Sequence, residues 1–267
     1  MLTEKFKGGS LPLNRWRLIK KMGKLDKKNI EDILALTPMQ EGMLYHYLKD
    51  PGSHYYSEQL SLDISGALDF KFFEQAWNSV VQNNQLLRTV FRWEKVENPV
   101  QIILKQHPLN VRYHDLPGEE NEKKEKWIEK IKTNDRNETF DISDVPFRVT
   151  LCKINENKYK MIISNHHILY DGWSNGIILK EFFEAYETRF KSYQTKPPVK
   201  AKFKEFSKWI QTRDKEKQGK FWREYLKGFD TRTELSIKSQ RAKEPVCVKC
   251  GGTYDIVFDH DSKDKLE

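Results

Sequence analysis

Two apolar runs, Phe147 to Ile154 and Tyr159 to Asn165, lie on either side of Asn155 and Asn157. Runs of this length that are rich in β-branched and aromatic residues and separated by turn-forming asparagines read as paired strands. They demand a buried sheet, so the rest of the chain has to supply helices or further strands to cover it. Immediately after the second run the chain places two histidines, His166 and His167, and after a three-residue gap Asp171 and Gly172. Adjacent strand residues point to opposite faces, so the two histidines cannot do the same job. One can face a cavity while the other anchors the backbone. Asp171 is close enough to fix the turn, and Gly172 tolerates backbone conformations or close approaches that a side chain forbids. A histidine held there can accept a proton near neutral pH. A zinc site would need converging ligands, which adjacent strand positions do not supply, so no metal is expected here.

Upstream, Thr37 can cap a helix whose first turn holds Pro38 and whose apolar positions are Met39, Met43, Leu44 and Tyr47. An alternating stretch from Tyr55 to Ile64 reads as a strand. Asp69 then caps a helix that buries Phe72, Phe73, Ala76, Trp77 and Val80. Arg88 to Trp93 and Val100 to Lys105, with Asn98 and Pro99 between them, predict a hairpin. A Lys/Glu-rich helix spans about Glu119 to Asn134, most simply with a solvated face. Ile177, Ile178, Phe182, Phe183 and Tyr186 mark another helix, which Pro197 and Pro198 interrupt. Helical stretches follow around Phe203 to Arg213 and Lys215 to Lys227, and from Phe229 onward the chain is polar and turn-rich, with one strand candidate at Thr253 to Phe258.

The 267 residues carry 47 Lys and Arg against 39 Asp and Glu. The net charge of +8 is diluted through a chain that is also rich in acids, which is a weak nucleic-acid signal and fits a phosphate-bearing partner as well. No apolar run reaches the length of a membrane span, so the cytosol is the expected compartment and neither nucleic acid nor membrane is an expected partner. Cys152, Cys247 and Cys250 are too few for a disulfide framework. Cys247 and Cys250, with His260 nearby, resemble half of a zinc knuckle without its second cysteine pair, and Cys152 reads as core. His46, His54, His107 and His114 have no partners in sequence and read as structural. Residues 1–28, basic with scattered apolar positions, read as a linker or docking segment.

Four segments in order carry a family resemblance. His166-His167-Ile168-Leu169-Tyr170-Asp171-Gly172-Trp173-Ser174 resembles the HHxxxDG signature of nonribosomal peptide synthetase condensation domains. Leu36-Thr37-Pro38-Met39-Gln40-Glu41-Gly42-Met43-Leu44 is similar to the family's opening motif, and Leu86-Leu87-Arg88-Thr89-Val90-Phe91 to its LRTxF element. Phe203-Lys204-Glu205-Phe206-Ser207-Lys208-Trp209 resembles its YxDYxxW element with conservative replacements.

The resemblance implies an α/β fold like chloramphenicol acetyltransferase, a two-layer sandwich forming the N-terminal lobe of a two-lobe condensation domain. By this reading residues 1–28 precede the lobe, residues 29–228 form it, and residues 229–267 are a crossover segment and the start of the second lobe. His167, the second histidine of the motif, is implied to deprotonate or position the acceptor amine. His166 and Asp171 are implied to be architectural, with Arg88 as the partner of Asp171. Gly172 would line a donor-side substrate channel, and Trp173 and Ser174 would support the next helix beside it. Upstream donor and downstream acceptor peptidyl carrier proteins in adjacent synthetase modules would bring phosphopantetheine arms, with no cofactor bound by the chain itself. Cyclization domains replace the double histidine with aspartates, epimerization domains continue DGVSWR, and coenzyme-A-dependent acyltransferases share only HxxxD, so all three fit less well. The family's later motifs, including GxFVNT, have no counterpart here. The expectation is therefore a lobe inactive alone, or a non-catalytic lobe that binds carrier proteins.

Overall fold

The computed structural model describes residues 25–50, 52–116, 121–188 and 200–231. Residues 1–24 of the expected basic segment, the Cys247/Cys250/His260 group and the strand candidate at 253–258 lie outside the described residues. The chain divides into two compact units that part between Arg213 and Asp214.

The first unit holds two sheets. In the smaller, β1 (Ile30–Ala35), β4 (Val100–Leu104) and β3 (Thr89–Arg92) lie antiparallel with β4 in the centre. In the larger, the order is β2 (Ser57–Ser65), β7 (Lys158–His166), β6 (Phe147–Asn155), β5 (Arg112–Asp115). Both sequence-predicted strand pairs form, β3 with β4 and β6 with β7, in the latter of which Phe147 opposes Asn165. β2 flanks β7 on its other side, and Ser57 opposes His166. β5 and β6 run parallel, and the connection between them contains α3 (Asn121–Asn137). Such a crossover is what parallel neighbours require, since a tight turn cannot join them.

Helix formation follows local chemistry. α1 (Pro38–Lys49) starts on a capping box: the Thr37 hydroxyl accepts from the Gln40 backbone N–H while the Gln40 side chain accepts from the Thr37 N–H. α2 (Phe70–Asn83) is capped by Asp69 and buries Phe73, Ala76, Trp77, Val80 and Val81 on one stripe. It packs on α4 (Gly172–Thr188), with Trp77 stacked on Phe182 at 4.7 Å between ring centroids. These helices share a core with Val149, Leu151, Met161 and Ile163 of the larger sheet.

The alternate residues of the same strands point the other way. Gln59, Ser164 and Arg148 all reach the buried Asp135 of α3, which takes a 3.0 Å ion pair from Arg148 and hydrogen bonds from Gln59 and Ser164. The Lys/Glu-rich helix therefore anchors itself to the sheet through one satisfied buried charge.

α5 (Phe203–Gln211) lies on β1 in the first unit, and its Phe206 and Trp209 are exposed. α6 (Lys215–Tyr225), capped by Asp214, belongs to the second unit and exposes Phe221, Trp222 and Tyr225. Among the described residues, no helix is long and apolar enough to cross a membrane.

Candidate functional site

β7 ends on His166, and the turn that follows carries His167 to Tyr170 into the start of α4. Backbone and side-chain hydrogen bonds hold the turn. The His167 backbone N–H donates to Tyr56 O at 2.7 Å, Leu169 N–H to His166 O at 3.0 Å, and the Gln40 amide of α1 donates to Ile168 O at 3.1 Å. Gln40 is itself locked by reciprocal amide hydrogen bonds with Gln101 of β4. The opening motif and the histidine motif are thus joined through one buried side chain.

The two histidines are divided as strand geometry requires. His166 is buried beside Tyr47 and Tyr56, and its Nδ1 accepts from Ile168 N–H. Burial, with a smaller contribution from the neighbouring His167 ring, pushes its pKa down to about 4, so the ring is neutral and an acceptor. His167 is partly exposed, at 29% for the side chain. Its Nδ1 lies 3.0 Å from Tyr170 O and its Nε2 lies 2.9 Å from Glu58 Oε1. Glu58, on β2, belongs to no motif, and its only sequence-level signal is its place near the start of a predicted strand.

Tyr170 donates its hydroxyl to Asn165 Oδ1 at 3.0 Å, and burial, reinforced by facing Glu58, raises its pKa. Cys152 is buried in β6, and that burial pushes its thiol up to about 11, which leaves it an inert core residue.

The expected Arg88–Asp171 pair is not formed. Arg88, only 5% exposed, is paired at 2.7 Å with Glu31 of β1 and donates to the carbonyls of Val81 and Leu104. Burial would raise the Glu31 pKa, but hydrogen bonds from Arg88 and Gln85 outweigh it and lower it. Asp171 is exposed at the start of α4, where its backbone oxygen and carboxylate face Ser174. The Arg88–Asp171 pairing was implied by the family resemblance alone; in this structure Glu31, on a strand without a distinct sequence signal, takes the guanidinium instead.

The residues expected along a substrate channel separate. Ser174 lines an open groove of about 430 Å³ together with Arg88, Tyr170, Ile177, Lys200 and Phe203. Gly172 and Trp173 do not line it. Trp173 is 91% exposed and gives the helix no packing support. A Cβ at Gly172 meets nothing within 4 Å, so neither close approach nor backbone strain requires the glycine among the described residues.

The profile of the condensation domain family matches residues 30–267. The chain belongs to the condensation domain family. It is 34% identical over 225 residues to surfactin synthase subunit 3 of Bacillus subtilis (strain 168), covering 84% of this chain and 18% of that protein. It is 35% identical over 215 residues to bacitracin synthase 3 of Bacillus licheniformis, covering 80% of this chain and 3% of that protein. The first condensation domain of the CDA synthetase superposes with a TM-score of 0.67 at 17% identity, over 78% of this chain and 51% of that structure. The SgcC5 protein from Streptomyces globisporus gives 0.60 at 19% identity, over 73% and 46%. These superpositions bear out the chloramphenicol acetyltransferase-like α/β fold expected from the motifs. The chain spans about half the length of these two solved structures.

Proposed function

We propose that this chain supplies the N-terminal lobe of a condensation centre that joins two carrier-bound aminoacyl or peptidyl thioesters through an amide bond. The acceptor amine attacks the donor thioester carbon; the C–N bond forms, the C–S bond breaks, and the amine proton leaves with the donor thiol. His167 is the group that meets the acceptor amine. The observation that carries this reading is the division of the double histidine: His166 is consumed in the fold, while His167 projects partly exposed from the sheet end with its ring held at both nitrogens. The phosphopantetheine arms come from the upstream donor and downstream acceptor carrier proteins of adjacent modules.

In a domain where this chain continues into a second lobe, loaded carrier proteins should yield the amide, and His167→Ala should lower its rate by on the order of 100-fold or more with no change in melting temperature. Undiminished product from His167→Ala would contradict the assignment. A second reading is a lobe that binds carrier proteins without turnover. Carrier-protein binding without product in the two-lobe domain would favour it.

A further inference from the structure

The atom of His167 that a substrate would meet is not open. Nδ1 lies against the Tyr170 carbonyl, which can only accept, so Nδ1 carries hydrogen. Nε2 lies against Glu58 Oε1, and a single proton lies between ring and carboxyl, whichever of them holds it. The Nε2 lone pair is therefore occupied for as long as Glu58 stays in place.

Glu58 is also poorly served by the fold. Its Oε2 is buried without a hydrogen-bond partner among the described residues, and so is Nδ2 of Asn165, the residue directly opposite it on β7. A buried polar atom left unsatisfied costs stability, and such atoms in a native protein call for another explanation. A carboxylate kept at that cost, with its other oxygen on the histidine of the motif, points to a role exercised through that histidine.

We propose that Glu58 is the positioning residue of His167: its carboxylate fixes the direction of the imidazole through the proton it shares with Nε2. The meaning of that proton rests on the condensation reading; its existence does not.

Two measurements test this. In the 15N-histidine-labelled 267-residue chain, His167, assigned by its loss in His167→Gln, should show a hydrogen-bonded proton correlated with Nε2. Glu58→Ala should abolish that signal and leave the Nδ1 proton in place, and Glu58→Gln should keep it at a changed shift. Both variants should melt no lower than wild type. A wild-type ring without the Nε2 proton, a signal unchanged in Glu58→Ala, or a fall in melting temperature for Glu58→Gln would overturn the proposal. In the two-lobe domain, Glu58→Ala should lower kcat by about tenfold or more with little change in acceptor KM, and Glu58→Gln should recover part of it. A loss in KM alone would also overturn it. If the wild-type two-lobe domain makes no amide, the condensation reading fails, and the ring spectra still decide Glu58.

Discussion

Two residues of the histidine motif and one upstream carry opposite consequences for stability. Arg88 is buried and serves Glu31 and two carbonyls at once, so Arg88→Ala removes a partly buried ion pair and two carbonyl hydrogen bonds and should cost roughly 3 kcal/mol. Asp171 is exposed and touches Ser174 only at 3.5 Å, so Asp171→Ala should cost about 1 kcal/mol or less, as for a helix cap. The double variant should be additive within about 0.5 kcal/mol; a larger coupling in urea unfolding would show that the two side chains are paired after all. His166 makes a pH prediction. Its folded pKa is depressed from 6.5 to about 4, so the fold binds fewer protons than the unfolded chain in that window. Its contribution is fully present above pH 6.5 and is lost as pH falls toward 4, on the order of 3 kcal/mol in all. Half-buried His107, its pKa also depressed by desolvation, acts in the same direction. His166→Asn should flatten the fall in stability between those pH values without abolishing it, as followed by melting temperature; an unchanged slope would contradict the buried neutral ring.

At the scale of elements, the coupling between α1 and the histidine turn runs through Gln40. Gln40→Leu removes its bonds to Thr37, Gln101 and Ile168 and leaves buried partners unsatisfied, so it should cost about 2–3 kcal/mol and loosen the turn that holds His167. Hydrogen exchange at Leu169 should accelerate; full protection there would show that the turn stands without α1. Elements with their own local signal were legible beforehand: the Thr37 and Asp69 caps, the amphipathic stripe of α2 and the β6–β7 hairpin fall where the sequence places them. Two strands were not. β1 reads Ile30, Ile33, Leu34, a spacing that suits a helix as well, and only its register against β4 makes it a strand. All four residues of β5 are exposed, so it has no apolar face to betray it and exists because the β6 edge pairs with it. In the same way, the His167 partner Glu58 was hidden: strand register, not spacing, brings β2 beside β7.

For the whole molecule, membership of the family and the α/β fold were written in four ordered motifs, whereas the wall opposite His167 is not among the described residues. The open groove beside Ser174 and the exposed Phe206 and Trp209 on α5 are surfaces that a second lobe would be suited to cover. On the proposed function, catalysis is a property of two lobes, with this chain supplying the histidine. Its most direct test is complementation: the 267-residue chain and a second lobe, prepared as separate polypeptides, are mixed with donor-loaded and acceptor-loaded carrier proteins, and amide product is followed by mass spectrometry. The account predicts product only when both lobes are present, and none when the chain carries His167→Ala. Product from the chain alone, or from the mixture lacking His167, would contradict it.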